Sequence, residues 1–310
     1  SMKKMLPEDK YWPVNDVWGL HDFCIHSAQG ASGFMNAVNR YGKASDLQDF
    51  CKKAQMVNME NHKAMFESFV GAQSNGMLMW MSQSAWPSTV WQTYDYYLEQ
   101  TAGYYGCKKA VEPLHSLWDS QLDKVKVANN TRQGYKNLIA EVRIYNMDGT
   151  LMLRDSVRLD SGSDTVTDCM SIVYPKKLSP VHFIKLELND ANGNLLSDNF
   201  YWRSNKPGDY KALNTLSKAK LNVTSQLVNR TDHGDKKVIK ATIKNVGPSV
   251  AFAVHVQAVR SSDGERILPA LMNDNYFTLL KGESKDIEIE FDSELLPDDN
   301  YRLSVIPYNK

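Results

Sequence analysis

After Trp118 the chain repeats one grammar: short runs of alternating apolar and polar residues, each closed by a turn. Alternation with period two puts every second side chain on one face of a strand, so each run buries one face and needs a second layer against it. Leu138 to Tyr145 alternates, Asp148-Gly149 supplies a hairpin turn, and Leu151 to Leu159 returns. Strand-like runs follow at Thr165 to Val173, Val181 to Leu188 and Leu195 to Trp202, with Asn192-Gly193 as another turn. Arg203 to Asp209, holding Asn205, Pro207 and Gly208, reads as a linker. A second series occupies Lys220 to Asn229, Lys237 to Asn245, Ala251 to Arg260, Tyr276 to Leu280, Asp286 to Phe291 and Tyr301 to Pro307. Roughly six or seven short strands per 90 to 100 residues, twice over, is the pattern of two immunoglobulin-like sandwiches. The cysteine pair and core tryptophan of antibody domains are absent, and the two series do not repeat residue by residue.

Before Trp118 helical periodicity dominates. Ser45 and Gln48 form an S-x-x-Q capping box. Behind it Leu47, Phe50, Cys51, Ala54, Val57, Met65 and Phe69 follow three- and four-residue steps, which predicts one amphipathic helix over Asp46 to Phe69. The apolar run Met77 to Met81 follows Gly76 and reads as a strand buried on both faces. A second helix is expected over Tyr94 to Thr101, ending at Gly103. Helix, strand, loop and helix make an α/β layer. A single strand cannot satisfy its own backbone on both edges, so this region reads as incomplete. The expected division is therefore a partial α/β domain over 1–118 and sandwiches over 119–206 and 207–310.

Between the apolar run and the second helix lies a polar loop carrying Trp80, Trp86 and Trp91, closed by the Tyr94 to Tyr97 cluster. Indole faces stack on the apolar faces of sugar rings, while nearby amides and hydroxyls bond their polar rims. The loop is thus a candidate carbohydrate site. Its substrate-binding candidates are Trp80, Trp86 and Gln83, whereas Trp91 and Tyr94 read as packing residues.

Composition narrows the classes. Among 310 residues, 36 Lys and Arg balance 36 Asp and Glu, so no basic footprint points to nucleic acid. No apolar stretch approaches the roughly 20 residues of a membrane span. Cys24, Cys51, Cys107 and Cys169 show no metal or disulfide spacing, and His21, Asp22 and His26 read as a loop, so no metal or other cofactor is expected. Asn129-Asn130-Thr131, Asn222-Val223-Thr224 and Asn229-Arg230-Thr231 fit glycosylation sequons. Ser1-Met2 reads as an expression scar, and any leader would lie upstream.

Four blocks in order carry a resemblance: YGKASDLQDFCKKAQMVNMENHKAMFE, GMLMWMSQSAWPSTVWQTYDYYLEQTAGYYGCKKAVEPLH, SDNFYW from Ser197, and ILPALMNDNYFTLLKGES from Ile267. Together they resemble glycoside hydrolase family 2, in the branch of exo-β-D-glucosaminidases and β-mannosidases of the mannosylglycoprotein endo-β-mannosidase type. The resemblance implies a fold class of α/β plus all-β: the C-terminal piece of a (β/α)8 barrel followed by two immunoglobulin-like sandwiches. Met77 to Met81 would be the eighth barrel strand, and the loop at its C-terminal end would face the sugar. Trp80 would floor the subsite, with a non-proline cis peptide after it. Ser82-Gln83-Ser84 departs from the Asn residues of the glucosaminidase pattern, which leaves mannose open beside glucosamine.

Family members use two glutamates about 5 Å apart, as acid/base and nucleophile, at the ends of the fourth and seventh barrel strands. Both would precede residue 1. Glu60 and Glu67 share one helix face and read as solvated, Asp95 and Glu99 have i,i+4 spacing, and Glu112 precedes Pro113. None is a catalytic residue on this reading, and the chain is expected to be inactive alone. Its partner in the intact enzyme would be an oligosaccharide, its exposed barrel face would invite self-association, and a periplasmic or secreted location is expected. The alternative class is a non-catalytic carbohydrate-binding or scaffolding protein.

Overall fold

The structure is a computed structural model that describes residues 1–23, 31–89, 92–230 and 234–310. Cys24, His26, Trp91 and Thr231, named above, lie outside them. Helices come first: α1 (Met2–Met5), α2 (Asp16–Leu20), α3 (Ala31–Asn39), α4 (Leu47–Gly71) and α5 (Ala102–Ala110). Seven strands follow as β1 (Leu114–Asp119), β2 (Lys124–Asn129), β3 (Tyr135–Asn146), β4 (Leu151–Ser161), β5 (Thr165–Ser171), β6 (Val181–Asn189) and β7 (Leu195–Ser204). They pair antiparallel in two sheets, β1-β2-β5 and β4-β3-β6-β7. Between the sheets Val142 and Ile144 of β3 and Ile184 and Leu186 of β6 meet Val125 of β2, all fully buried or nearly so. Burying such side chains stabilises by about 1.5–3 kcal/mol each.

The second sandwich comprises β8 (Leu221–Arg230), β9 (Lys236–Asn245), β10 (Ala251–Arg260), β11 (Leu271–Met272), β12 (Phe277–Leu279), β13 (Ser284–Asp292) and β14 (Tyr301–Ile306). Its sheets run β12-β10-β14 and β11-β13-β9-β8, again antiparallel. Ile239, Ile243, Ile287 and Ile289 of one sheet pack with Val254 and Val256 of the other. The chain divides into two compact units: residues 1–56, 81–105 and 214–310, and residues 57–80 and 106–213.

Three local expectations change. The helix α4 runs for 25 residues, about 37 Å at the standard rise, but its cap is shifted by one. Asp46 Oδ1 accepts from the Asp49 amide at 2.9 Å, and Asp49 Oδ2 accepts from the Ser45 amide at 3.1 Å. Asp46, one residue beyond Ser45, caps the helix through the Asp49 amide, while Asp49 reaches back past the cap to the Ser45 amide, because carboxylates accept more strongly than the Ser and Gln side chains.

The segment Met77 to Met81 forms no strand. Leu78 is fully exposed, and before Leu114 the described residues hold only isolated bridges. A strand buried on both faces requires neighbours that accept and donate along both edges, and these residues are offered none. The Trp80–Met81 peptide is trans; the cis bonds fall at Trp12–Pro13 and Leu268–Pro269.

Residues 94–101 form a tight turn instead of a helix. Leu98 takes a left-handed φ of 66°, and the Asp95 amide donates back to Glu99 O at 2.9 Å. The helix starts only at Ala102, whose amide donates to Gln55 Oε1 at 2.7 Å.

Where α5 crosses α4, Gly106 has no room for a side chain: a Cβ there would lie 2.8 Å from Met59 O and 3.3 Å from Lys63 N. Gly106→Ala is expected to cost about 1–3 kcal/mol by forcing the helices apart. Gly33→Ala, on α3 with nothing within 4 Å of the new methyl, should be neutral or stabilising by up to about 1 kcal/mol. Urea denaturation of both variants checks the contrast.

Candidate functional site

The aromatic loop is anchored by a tryptophan outside it. Trp18 of α2 is fully buried, edge-on to Phe23 and to Phe50 of α4 with ring centroids 5.3 and 5.2 Å away. Its indole N–H donates to Lys10 O at 3.0 Å, so α2 cannot slide. His21 follows directly and meets the loop. Its Nδ1 lies 2.8 Å from Pro87 O, which only accepts, so that nitrogen carries the proton. The Thr89 amide and hydroxyl both donate to His21 O, at 2.9 and 3.0 Å. Trp86 stacks on the imidazole at 5.6 Å and 23° while 47% of its surface stays exposed.

Gln83 is exposed and its backbone bridges Tyr94; the Tyr94 amide and the Thr93 hydroxyl both donate to Ser82 O, at 2.9 and 3.1 Å. Tyr94 packs edge-on to Tyr104 at 5.2 Å, the packing role expected of it. Gln83 and Trp86 thus share one pinned loop. Trp80 lies in the other unit, with 78% of its surface exposed. Two further residues escaped the sequence reading. Ser84 Oγ and Gln92 Nε2 are buried and have no hydrogen-bond partner among the described residues. Buried polar atoms are nearly always paired, so these two hold unused bonding capacity within the loop. Their one sequence signal is the run of amide and hydroxyl residues between the tryptophans.

Every carboxylate weighed for catalysis has a structural partner. Arg266 pairs with Glu99 and stands 3.9 Å from Asp95, and Gln257 also donates to Glu99. Glu60 accepts from the Tyr210 hydroxyl at 2.9 Å. Glu112 bonds Lys109 at 2.7 Å and accepts from Ser197 at 3.2 Å. The reading of Glu67 as solvated is overturned. It is 6% exposed, and its Oε1 faces His115 Nε2 at 2.9 Å and accepts from Asn199 and Tyr201, both at 2.8 Å. His62 of the same helix is also buried, with Nδ1 2.9 Å from Asn58 O. The amphipathic stripe failed here because a polar residue on the apolar flank is buried whenever a partner layer supplies donors.

Around Glu67 the charges are balanced in a small volume. Burial pulls Lys63 down to about 8; its ammonium donates to Phe200 O at 2.9 Å and lies 3.7 Å from the Tyr201 ring centre. Burial raises the Glu67 carboxyl, but the Lys63 charge and the His115 and Asn199 hydrogen bonds outweigh it, and the net shift is downward. Burial likewise lowers His115, while the carboxylates of Glu112 and Glu67 outweigh it and leave the imidazole raised. The cluster welds α4 to β1 and β7. It is closed to solvent and is a structural centre, not a substrate site. No group of three or more His, Cys, Asp or Glu among the described residues is placed to hold a metal.

The Ig-fold domain model of exo-β-D-glucosaminidases matches residues 199–310. The mannosylglycoprotein endo-β-mannosidase of Lilium longiflorum is 27% identical, over 90% of this chain and 36% of its own length. An exo-β-D-glucosaminidase of Amycolatopsis orientalis is 31% identical, over 82% of this chain and 27% of its own. The crystal structure of the exo-chitosanase CsxA from the same organism superposes on all of this chain and 40% of its own, with 27% identity and a TM-score of 0.89. The chain therefore spans about a third of the length of the relatives it matches, in their C-terminal part.

The buried cluster has a pH signature. Glu67, depressed from 4.5, contributes stability that is present above 4.5 and lost as pH falls through its lower folded value. His115, raised from 6.5, contributes stability that is full below 6.5 and lost as pH rises through its folded value. Lys63 disfavours folding below about 8, a cost relieved between about 8 and 10.5. Glu67→Gln leaves the Lys63 ammonium uncompensated and should cost about 3–5 kcal/mol. Urea unfolding from pH 3 to 9 should show that loss together with a flattened acid limb; an unchanged acid limb would remove Glu67 from this role.

Proposed function

We propose that the chain belongs to glycoside hydrolase family 2, in the branch of exo-β-D-glucosaminidases and mannosylglycoprotein endo-β-mannosidases, and that it forms the C-terminal region of a retaining β-glycosidase. The proposed substrate is a terminal β-linked glucosamine or mannose. Residues 1–118 are proposed as the end of the catalytic barrel domain, with 119–206 and 207–310 as the two sandwiches behind it. One observation carries the sugar site: Trp86, half exposed, is held by its stack on His21 in a loop whose backbone is tied down at Ser82, Pro87 and Thr89. A fixed, solvent-facing indole is what stacking on a sugar ring requires, because little side-chain freedom is lost on binding.

In this proposal Trp86 presents its apolar face to the sugar, and Gln83 of the same loop bonds a ring hydroxyl. Neither the acid/base nor the nucleophile comes from these 310 residues. The partners of Glu60, Glu67, Asp95, Glu99 and Glu112 support that view, since a carboxylate committed to a cation or to several donors is a poor general acid. The pair, about 5 Å apart, is supplied by the preceding part of the enzyme.

The full-length protein should release nitrophenol from nitrophenyl β-D-glucosaminide or β-D-mannoside, and the 310-residue chain should release none. Trp86→Ala in the full-length protein should raise KM roughly tenfold, with a smaller change in kcat. Turnover by the 310-residue chain would place the carboxylates within it. Absence of turnover of both glycosides by the full-length protein would sink the enzyme reading in favour of a non-catalytic carbohydrate-binding protein.

A further inference from the structure

Arg266 is placed by the second sandwich, not by the loop it meets. After β10 the chain turns tightly: the Gly264 amide donates to Arg260 O at 3.0 Å and the Arg260 amide to Glu265 O at 2.8 Å. Arg266 then bridges Val259, and the next residue, Ile267, donates to Ala258 O at 2.9 Å with its side chain buried in the sandwich core. The guanidinium is therefore aimed before any partner arrives.

Its partners are the two acids of the 95–99 turn. The Glu99 amide donates to Asp95 Oδ1 at 3.0 Å and the Asp95 amide to Glu99 O at 2.9 Å, so the two carboxylates belong to one rigid unit. Glu99 pairs with Arg266 and accepts from Gln257 of β10, while Asp95 lies 3.9 Å from the same guanidinium. All three charged side chains are at most one-fifth exposed, which limits screening by solvent. Tyr94 stands directly before this turn. Its backbone bridges both Gln100 and Gln83, and its amide holds Ser82 O. A continuous run of contacts thus leads from the sandwich, through Arg266 and the acidic turn, to the backbone on which Gln83 and Trp86 sit.

We infer that Arg266 is a positioning residue for the loop 81–89, so that the second sandwich sets the geometry of sugar recognition without touching the sugar. The inference rests on the reading of this loop as sugar-binding. Without the guanidinium, Glu99 keeps only the Gln257 amide and the His255 imidazole 3.6 Å away, Asp95 keeps only the Ser1 hydroxyl and the turn's own amide, and the turn opens. Both acids meet one guanidinium nitrogen, Nη1, so lysine can keep the charge there, but its ammonium is the more strongly hydrated group and restores only part of the effect.

Hydrogen exchange on the 310-residue chain tests the mechanical half. In Arg266→Gln, peptides covering 81–89 and 92–101 should exchange about tenfold faster or more, with the amides of β9 and β13 unchanged. Glu99→Gln should show the same pattern, and Arg266→Lys an intermediate one. Unchanged loop exchange, or acceleration spread evenly over the sandwich, overturns the inference. In the full-length protein, Arg266→Gln should raise KM for nitrophenyl β-D-glucosaminide or β-D-mannoside about tenfold with kcat within about twofold, and Arg266→Lys should recover part of it. A fall in kcat at constant KM overturns the positioning role. A wild-type protein that turns over neither glycoside removes the sugar reading and this half with it, while the exchange pattern still decides whether Arg266 holds the loop.

Discussion

The Glu67 carboxylate lies where water does not reach, and the arrangement of α4, β1 and β7 follows from supplying what water would have given it. His115 arrives from β1, Asn199 and Tyr201 from β7, and Lys63 from the preceding turn of α4. No pair among them would be stable alone at this depth, since an unpaired buried charge costs several kcal/mol. Together they fix the rotation of α4 about its axis and its register along the first sandwich. The same helix closes on α5 at Gly106, where backbone meets backbone. Polar complementarity thus sets which face of α4 meets the sheet, and steric contact sets how closely α5 approaches.

The aromatic loop is ordered by a different means. Its described residues, 81–89, have no regular secondary structure beyond isolated bridges, and the backbone groups of Ser82, Pro87 and Thr89 are satisfied one at a time, Ser82 O by Thr93 and Tyr94 and the other two by His21. Such a loop keeps indole surface exposed without collapsing onto it, because its shape is held by polar contacts and not by burial. Binding loops on rigid supports follow this pattern generally. The second sandwich, with its closed apolar core, provides the support here, and its described strands carry no comparable cluster of exposed indoles.

Most strands of the sandwiches were legible in the sequence to within a few residues. Ala251 to Arg260 coincides with β10, and most other runs end within three residues of the observed strands, because period-two alternation and the Asp148-Gly149 and Asn192-Gly193 turns are local signals. Leu114–Asp119, Lys124–Asn129 and the two-residue Leu271–Met272 were missed: the first two carry His, Ser and Lys, whose burial or pairing is decided by a neighbour. The loop residues Gln83 and Trp86 were legible as an indole and amide run outside regular structure. Their pinning by His21 was not, since the two segments are 66 residues apart in the chain.

What the sequence determined by itself is therefore what nearest neighbours in the chain dictate: strand periodicity, the helix read over Asp46 to Phe69 and found at Leu47–Gly71, turns, and an indole-rich loop. Whether Met77 to Met81 is a strand, whether Glu67 is solvated, and what Asp95 and Glu99 are for depended on the tertiary structure. A strand exists only when other strands complete its hydrogen bonds, and an acid is buried only where distant donors meet it. Both conditions are set by residues tens to hundreds of positions away, which no local pattern encodes.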